Sequence, residues 1–106
     1  MNLNEAAQNA YTNAMQRERN GGAVKISEIL KHCAGEVIEA TEARADWINN
    51  GGDRDSDAHD SYGEELADVI ICSLIAAYDG GVDIEGAVCK KMLINAQRAA
   101  MQGDKL

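Results

Sequence analysis

The sequence contains no proline, no phenylalanine and few aromatic side chains of any kind. One tryptophan and three tyrosines are its only aromatic residues, or 4% of the chain. The strands of β-proteins favour aromatic and β-branched residues, and their turns commonly use proline. The composition therefore argues against an all-β fold, and the absence of proline is compatible with long uninterrupted helices.

Positive charge is also scarce, with 10 lysines and arginines against 18 aspartates and glutamates and a formal net charge of −8. Proteins that bind a DNA or RNA strand bring basic residues to its phosphates, so this balance argues against a nucleic-acid partner. It leaves open a small phosphorylated ligand that reaches acidic side chains through a metal ion. The length suits one core, so we expect a single domain over residues 1–106.

The sequence has no long apolar run and no paired cysteines. Cys33, Cys72 and Cys89 form no Cys-x-x-Cys motif and have apolar neighbours, a pattern typical of reduced core residues. The most apolar run, residues 69–77, is far short of the ~20 residues that span a bilayer. The N-terminus has neither the basic nor the apolar part of a secretory signal. We therefore expect a cytoplasmic protein without membrane contact.

Three Gly-Gly pairs divide the chain into four segments rich in helix-forming residues. Each pair follows an asparagine or an aspartate, and glycine after such a residue is typical of a helix C-terminus. The pairs are Gly21-Gly22, Gly51-Gly52 and Gly80-Gly81. The segments predict helices over residues 3–19, 24–48, 62–79 and 83–101. Asp83 is the expected N-cap of the last helix.

The apolar positions of these segments predict an all-α four-helix bundle. The second helix has an apolar seam formed by Ile26, Leu30, Cys33, Val37 and Ala40. The first has a stripe of mostly small residues, namely Leu3, Ala6, Ala7, Ala10 and Ala14. The third is apolar nearly all round, which predicts a central position or a subunit interface. Four short helices with so little core would be marginal alone, so we expect a homodimer or a homotetramer.

Two pairs of carboxylates lie on the helices expected to form the core. Glu36 and Glu39 are three residues apart in the second helix, and Glu65 and Asp68 have the same spacing in the third. Residues three apart share one face of a helix. Clustered carboxylates in a partly dry site repel each other unless a cation neutralises them, and their oxygens favour Mg²⁺ or Mn²⁺. Ordinary solvated surface residues are the alternative interpretation.

The fourth helix has an apolar stripe that becomes cationic. It begins at Ile84, and Lys91, Asn95 and Arg98 continue along the same face. Such a stripe needs anionic partners inside the bundle, either the carboxylates or a phosphorylated ligand. Ion pairs that only stabilise the bundle are the alternative.

These residues resemble the signature of the MazG-like all-α NTP pyrophosphatases, a superfamily that includes the dCTP pyrophosphatases. The signature is ExxE, a spacer and ExxD, and it is matched here by residues 36–39, 40–64 and 65–68. The spacing of Lys91, Asn95 and Arg98 matches the family's C-terminal helix. The resemblance covers about residues 24–98.

The resemblance implies hydrolysis of a (d)NTP between its α- and β-phosphates, which gives a (d)NMP and pyrophosphate. It implies a Mg²⁺ cofactor, with Mn²⁺ as a substitute, because a polyanionic substrate approaches four carboxylates only with a metal between them. The expected metal ligands are Glu36, Glu39, Glu65 and Asp68. The expected catalytic residues are Glu39, which takes the proton of the attacking water, and Lys91, which neutralises phosphate charge. The expected substrate-binding residues are His32, Lys91, Asn95 and Arg98.

Base recognition is less defined by the sequence. Trp47, Tyr62 and His32 are able to stack on or contact a nucleobase, but packing is the more common role for each. The sequence is compatible with both roles.

Residues 53–64 support a rival hypothesis. Counted from Asp53, acids stand at positions 1, 3 and 5, an oxygen donor at 9 and Glu64 at 12, which is the ligand spacing of an EF-hand calcium loop. Ala58 stands where such a loop needs glycine. The alternative function is therefore a non-catalytic helical metal-binding module with a degenerate calcium loop. A helical scaffold that hydrolyses no nucleotide is the third class.

Overall fold

The computed structural model describes residues 2–102, and every regular element in this range is helical. The elements are α1 (Leu3–Arg19), a short 3-10 helix (Ile26–Glu28), α2 (Ile29–Asn49), α3 (Asp57–Asp79) and α4 (Ile84–Gln102). The all-α fold with four long helices is thus confirmed. The expected domain over 1–106 also includes Met1 and residues 103–106, which lie outside the described residues.

The Gly-Gly pairs end α1, α2 and α3 through one hydrogen-bond pattern. At the end of α1, the Gly22 N–H donates to the Arg17 carbonyl (2.8 Å), and the Gly21 N–H donates to the Glu18 carbonyl (3.0 Å). Equivalent bonds close α2 and α3. The pattern satisfies carbonyls that a helix leaves unpaired, and Gly21 supplies the left-handed backbone that it needs, at φ +88°. A Cβ on Gly22 would lie 2.9 Å from the Arg17 carbonyl oxygen, so this position also requires glycine.

α3 is the central helix, as its apolar composition predicts. α1 and α2 both pack against it, whereas within residues 2–102 they do not pack against each other. The core contains Ile26, Ile29, Cys72 and Ile75. The predicted stripe of small residues on α1 closes the core from one side, with Ala7 buried and the rest half-buried.

α2 and α3 form an antiparallel hairpin. The thiol of Cys33, near the start of α2, contacts the Val69 carbonyl in the second half of α3. Trp47, near the end of α2, stacks against Tyr62 in the first half of α3. Residues nearer the end of α2 therefore contact residues nearer the start of α3.

The predicted apolar seam of the second helix is partly wrong. Ile26 and Ala40 are buried and Cys33 is half-buried, but the Leu30 and Val37 side chains are 68% and 47% exposed. The face of α2 that packs on the core is narrower than the predicted seam. Around a helix of 3.6 residues per turn, Cys33 and Ala40 lie within about 40° of the buried Ile29, whereas Leu30 and Val37 lie about 80–100° away from it. The 3-10 turn at Ile26–Glu28 has three residues per turn, which brings Ile26 into line with Ile29. The helix itself begins at residue 29, not at 24.

α3 begins at Asp57 rather than at the predicted residue 62. Ser56 is the N-cap, and its hydroxyl accepts a hydrogen bond from the His59 N–H at 3.2 Å. Asp57 and Asp60 lie in the first turn, where carboxylates interact favourably with the helix dipole. Asp57 and Asp60, which the predicted helix bounds leave between the second and third helices, therefore belong to the start of α3.

α4 is joined to the rest of the chain through its N-terminus. The Asn4 side chain accepts from the Glu85 N–H (3.2 Å) and donates to Asp83 Oδ1 (2.9 Å), and Glu85 Oε1 accepts from the Leu3 N–H (2.8 Å). The first turns of α1 and α4 thus cap each other. Asp83 is the predicted N-cap and accepts from the Gly86 N–H at 3.0 Å. Within the described range α4 packs on α1 and α3 only.

We expect this cap to make stability depend on pH. Hydrogen bonds from Asn4 and from the Gly86 N–H hold the pKa of Asp83 below its usual range. Its contribution is therefore present above the ordinary aspartate pKa of ~3.9 and is lost as the pH falls through the lowered folded value. Asp83→Ala should lower the Tm at pH 7, and Asp83→Asn, which retains a cap acceptor, should lower it less. Equal Tm values for the alanine variant and the wild type at neutral pH would contradict this account.

Candidate metal centre

The four motif carboxylates come together where α2 packs against α3. Because the helices are antiparallel, Glu36 lies level with Asp68 and Glu39 lies level with Glu65. Oxygen atoms of Glu36, Glu65 and Asp68 lie within 4.8 Å of one another. Glu39 belongs to the same group, since its charge acts on both Glu36 and Glu65. These four residues are called the carboxylate cluster below.

Two members of the cluster have buried oxygen atoms without partners. The Glu36 side chain is only 13% exposed, while Asp68 and Glu39 are exposed to solvent. Oε2 of Glu36 and Oε2 of Glu65 are buried and accept no hydrogen bond. A buried carboxylate oxygen without a donor is costly. The cluster therefore has two buried carboxylate oxygens that are available to bind a cation.

The electrostatics of the cluster show the same lack of positive charge. Burial raises the pKa of Glu36, and Glu39 raises it further, whereas His32 lowers it. Burial also raises the pKa of Glu65, and the charges of Glu39 and Asp68 add to this effect. His32 Nε2 lies 3.0 Å from Glu36 Oε1, a contact that is an ion pair when the imidazole is protonated, and within residues 2–102 it is the one contact of this kind. The shifts have the sign expected for carboxylates without a sufficient counter-charge.

A cleft of about 340 Å³ opens beside the cluster. Its walls come from α1, α2, α3 and residues 22–24 of the α1–α2 connection. Its charged or titratable lining residues, apart from Cys72, are Arg17, His32, Glu36 and Asp68. Most of the remaining lining is apolar, including four isoleucines. An apolar cleft with a few polar groups at one side is typical of small-molecule sites.

Sequence reasoning identified His32 and the carboxylates but missed Arg17. Arg17 lies in the last turn of α1, a helix whose predicted role was packing alone. The only sequence signal was indirect. The Gly21-Gly22 turn reverses the chain, so that the end of α1 and residues 22–24 form one wall of the cleft.

Within one chain, the structure does not bring the cationic residues of α4 to the cluster. Lys91 and Arg98 are exposed, and neither they nor Asn95 line the cleft. Asn95 is half-buried, and its Oδ1 has no hydrogen-bond partner. The physical reason is that α4 is anchored through its first turn to α1 and does not reach α2. Their proposed roles in substrate binding, and that of Lys91 in catalysis, stay predictions.

Trp47 and Tyr62 pack against each other at the far end of the hairpin. Their rings stack with centroids 5.6 Å apart, and the His59 ring lies 5.1 Å from Trp47. Trp47 Nε1 donates to the Asp53 carbonyl at 3.1 Å, which fixes the α2–α3 connection. Neither ring lines the cleft, so the packing interpretation is favoured for both. His32 does line the cleft.

Residues 53–64 do not have the conformation of a calcium loop. From Asp57 onward they are helical, and Asp53 Oδ1 accepts a hydrogen bond from the Asp55 N–H at 2.9 Å. Side chains along a helix radiate in several directions and do not wrap around one ion. In residues 2–102, Glu36, Glu65 and Asp68 are the one acidic trio with closely spaced oxygens. Residues 53–64 therefore lack the loop geometry that a calcium site needs, and the alternative function stays a prediction.

Comparisons of the chain with protein-family models, with curated proteins and with solved structures find no match. The resemblance to MazG-like enzymes thus depends on the motif residues themselves. Across residues 2–102, no helix combines the length and the apolar character needed to cross a membrane.

We expect Glu65→Gln to stabilise the metal-free protein and to weaken its response to metal. The pKa of Glu65 is raised by folding, so its ionised form costs stability above that raised value, and the cost disappears as the pH falls. Removing the charge should therefore raise the metal-free Tm at pH 7. It should also reduce the rise in Tm that Mg²⁺ or Mn²⁺ causes in the wild type.

Glu64→Gln is the matched control for this measurement, since Glu64 is the exposed neighbouring acid. The control should retain the wild-type response to metal. A Glu65→Gln protein that is less stable without metal and responds normally to metal would contradict the assignment.

Proposed function

We propose that the protein is a Mg²⁺-dependent nucleoside triphosphate pyrophosphohydrolase, which converts a (d)NTP to a (d)NMP and pyrophosphate. The observation that supports this most is the carboxylate cluster at the edge of a cleft of ligand size. The residues that meet there from α2 and α3 are the same ones that carry the MazG-like signature. The two buried, unpaired oxygens of Glu36 and Glu65 favour a metal site over an ordinary solvated surface.

The cluster fits a hard divalent cation. All its donors are carboxylate oxygens, which Mg²⁺ and Mn²⁺ prefer, and Mg²⁺ needs only one or two of them in addition to water and phosphate. Glu36, Glu65 and Asp68 have the closest oxygens and would hold the ion. When bound, it neutralises phosphate charge and polarises the reacting phosphoryl group.

Glu39 is suited to accept the proton of the attacking water. Its side chain is exposed, so it can pass the proton to solvent, and it lies beside both Glu36 and Glu65. The water oxygen forms a bond to the α-phosphorus, the bond from that phosphorus to the bridging oxygen breaks, and pyrophosphate leaves. His32 holds the Glu36 carboxylate in place from within the cleft.

We also propose that the chain functions as a homodimer or a homotetramer. Large apolar side chains are exposed on all three helices that carry motif residues, among them Leu30 (68%), Ile70 (56%) and Leu93 (67%). Monomers rarely leave so many such side chains in water. Because α4 does not reach the cluster of its own chain, a second copy is the source we propose for the cations and the amide of Lys91, Arg98 and Asn95.

A cytoplasmic location is part of the same proposal. Cys33, Cys72 and Cys89 are free thiols. Burial raises the pKa of Cys72 to about 11, so this thiol is unreactive at neutral pH. Such cysteines are compatible with a reducing compartment.

We expect Glu65→Ala and Asp68→Ala to lower the rate of Mg²⁺-dependent pyrophosphate release by ~100-fold or more, because each removes a proposed ligand of the metal ion. The assay is a panel of canonical and modified (d)NTPs with Mg²⁺, with pyrophosphate and phosphate measured separately. Glu64→Ala is the matched control, and circular dichroism verifies that helicity is retained. Unchanged turnover in either variant, or phosphate as the first product, would refute the proposal; a scaffold would hydrolyse none of the substrates.

Mixing variants tests whether subunits share a site. Glu65→Ala and Lys91→Ala proteins should each be inactive, and mixed oligomers should regain part of the activity because some sites then contain both intact halves. A mixture of Glu65→Ala with Asp68→Ala should remain inactive, since both changes affect the same half. A monomeric mass in sedimentation at micromolar concentration, with full activity, would exclude the shared site.

A further inference from the structure

The cleft beside the carboxylate cluster has one strongly cationic side chain. Among the lining residues within the described range 2–102, Arg17 is the only lysine or arginine. The same cleft is lined by Glu36 and Asp68, so the cluster and the end of α1 both form part of its wall. Lys91 and Arg98, the cations expected from the sequence, do not line it. Arg17 is therefore the cation that one chain supplies to its own cleft.

The backbone of Arg17 is held firmly in place. Its carbonyl accepts hydrogen bonds from the Gly22 N–H (2.8 Å) and from the Asn20 N–H (3.2 Å). A Cβ at Gly22 would lie 2.9 Å from that carbonyl oxygen, so the close approach depends on glycine. The backbone at Arg17 is thus preorganised, so that only its exposed side chain has to be ordered on binding.

The acid next to Arg17 is engaged elsewhere. Glu18 Oε1 accepts a hydrogen bond from the Ile26 N–H at 2.7 Å, which ties the α1–α2 connection back to α1. Within residues 2–102 no carboxylate lies within ion-pair distance of Arg17, although acids outnumber basic residues in this chain. The guanidinium group is therefore free to accept an anion from outside the protein.

We propose that Arg17 binds the pyrophosphate portion of the nucleotide substrate, an inference that rests on the proposed function. The two outer phosphates carry most of the negative charge of a nucleoside triphosphate, and they become the leaving group when the α–β bond breaks. A guanidinium group presents two parallel N–H donors that match phosphate oxygens. Arg17 holds this group from the part of the cleft wall that α1 supplies.

The test measures binding by isothermal titration calorimetry in the presence of Mg²⁺. The probes are inorganic pyrophosphate, a non-hydrolysable α,β-imido triphosphate of the best substrate, and the corresponding monophosphate. Arg17→Ala should weaken binding of the first two by about 10- to 100-fold, as expected for loss of charged hydrogen bonds, and leave monophosphate affinity unchanged. The affinity of Arg17→Lys for these two probes should lie between those of the wild type and Arg17→Ala, because lysine keeps the charge without the paired donors.

Arg19→Ala is the matched control, because Arg19 is an exposed arginine in the same turn that does not line the cleft. It should bind all three probes like the wild type. The rise in Tm caused by Mg²⁺ alone should be unchanged in Arg17→Ala, since the cluster is intact. Should the alanine variant fail to fold, Arg17→Gln, which keeps much of the aliphatic stem, decides the question in the same assay.

The outcomes separate this inference from the proposed function. Equal affinity of Arg17→Ala and an active wild type for pyrophosphate would overturn the inference alone. So would a loss of monophosphate affinity as large as the loss of pyrophosphate affinity. A wild type that neither hydrolyses any (d)NTP nor binds any of the probes would overturn the proposed function and this inference together.

Discussion

The antiparallel packing of α2 on α3 is the constraint on which the rest of the site depends. It brings oxygen atoms of Glu36, Glu65 and Asp68 within 4.8 Å of one another, with Glu39 beside them, so that two carboxylate pairs of ordinary helical spacing form one cluster of like charge. Packing that stabilises the core thus creates an electrostatic cost at its edge, visible in the raised pKa values of Glu36 and Glu65. The divalent cation and phosphate ligand that we propose would remove that cost, which would link the stability of the fold to the proposed chemistry.

Much of the fold follows from local signals in the sequence. The Gly-Gly pairs mark helix ends because their hydrogen-bond pattern needs residues that tolerate positive φ, as at Gly21. Two errors have equally local causes. Ser56 caps α3 before the predicted start, and Leu30 lies about 100° around α2 from Ile29, outside the narrow face that packs on the core. A pattern of apolar residues shows which side of a helix is apolar but not how much of that side the core covers.

From the sequence, only the part of the site that lies on the α2–α3 hairpin was predictable. The carboxylates lie on neighbouring helices joined by a short connection, so their spacing along the sequence determines their meeting. Whether Arg17 and the α4 cations lie near the cleft depends instead on how α1 and α4 pack against the hairpin. Arg17 reaches the cleft through a reversal after α1, while Lys91 is kept from it by the mutual capping of Asn4 and Glu85. The spacing of residues within one helix does not determine where that helix packs relative to the others.

Mn²⁺ binding followed by electron paramagnetic resonance tests the central claim most directly, since it detects the bound ion without requiring turnover. The measurement compares the wild type with Glu36→Gln, in the carboxylate cluster, and with Asp55→Asn, in the acidic segment before α3. We expect the signal of bound Mn²⁺ to be lost in Glu36→Gln and retained in Asp55→Asn. Retention of the bound ion in Glu36→Gln, or its loss in Asp55→Asn alone, would contradict the assignment of the metal to the cluster.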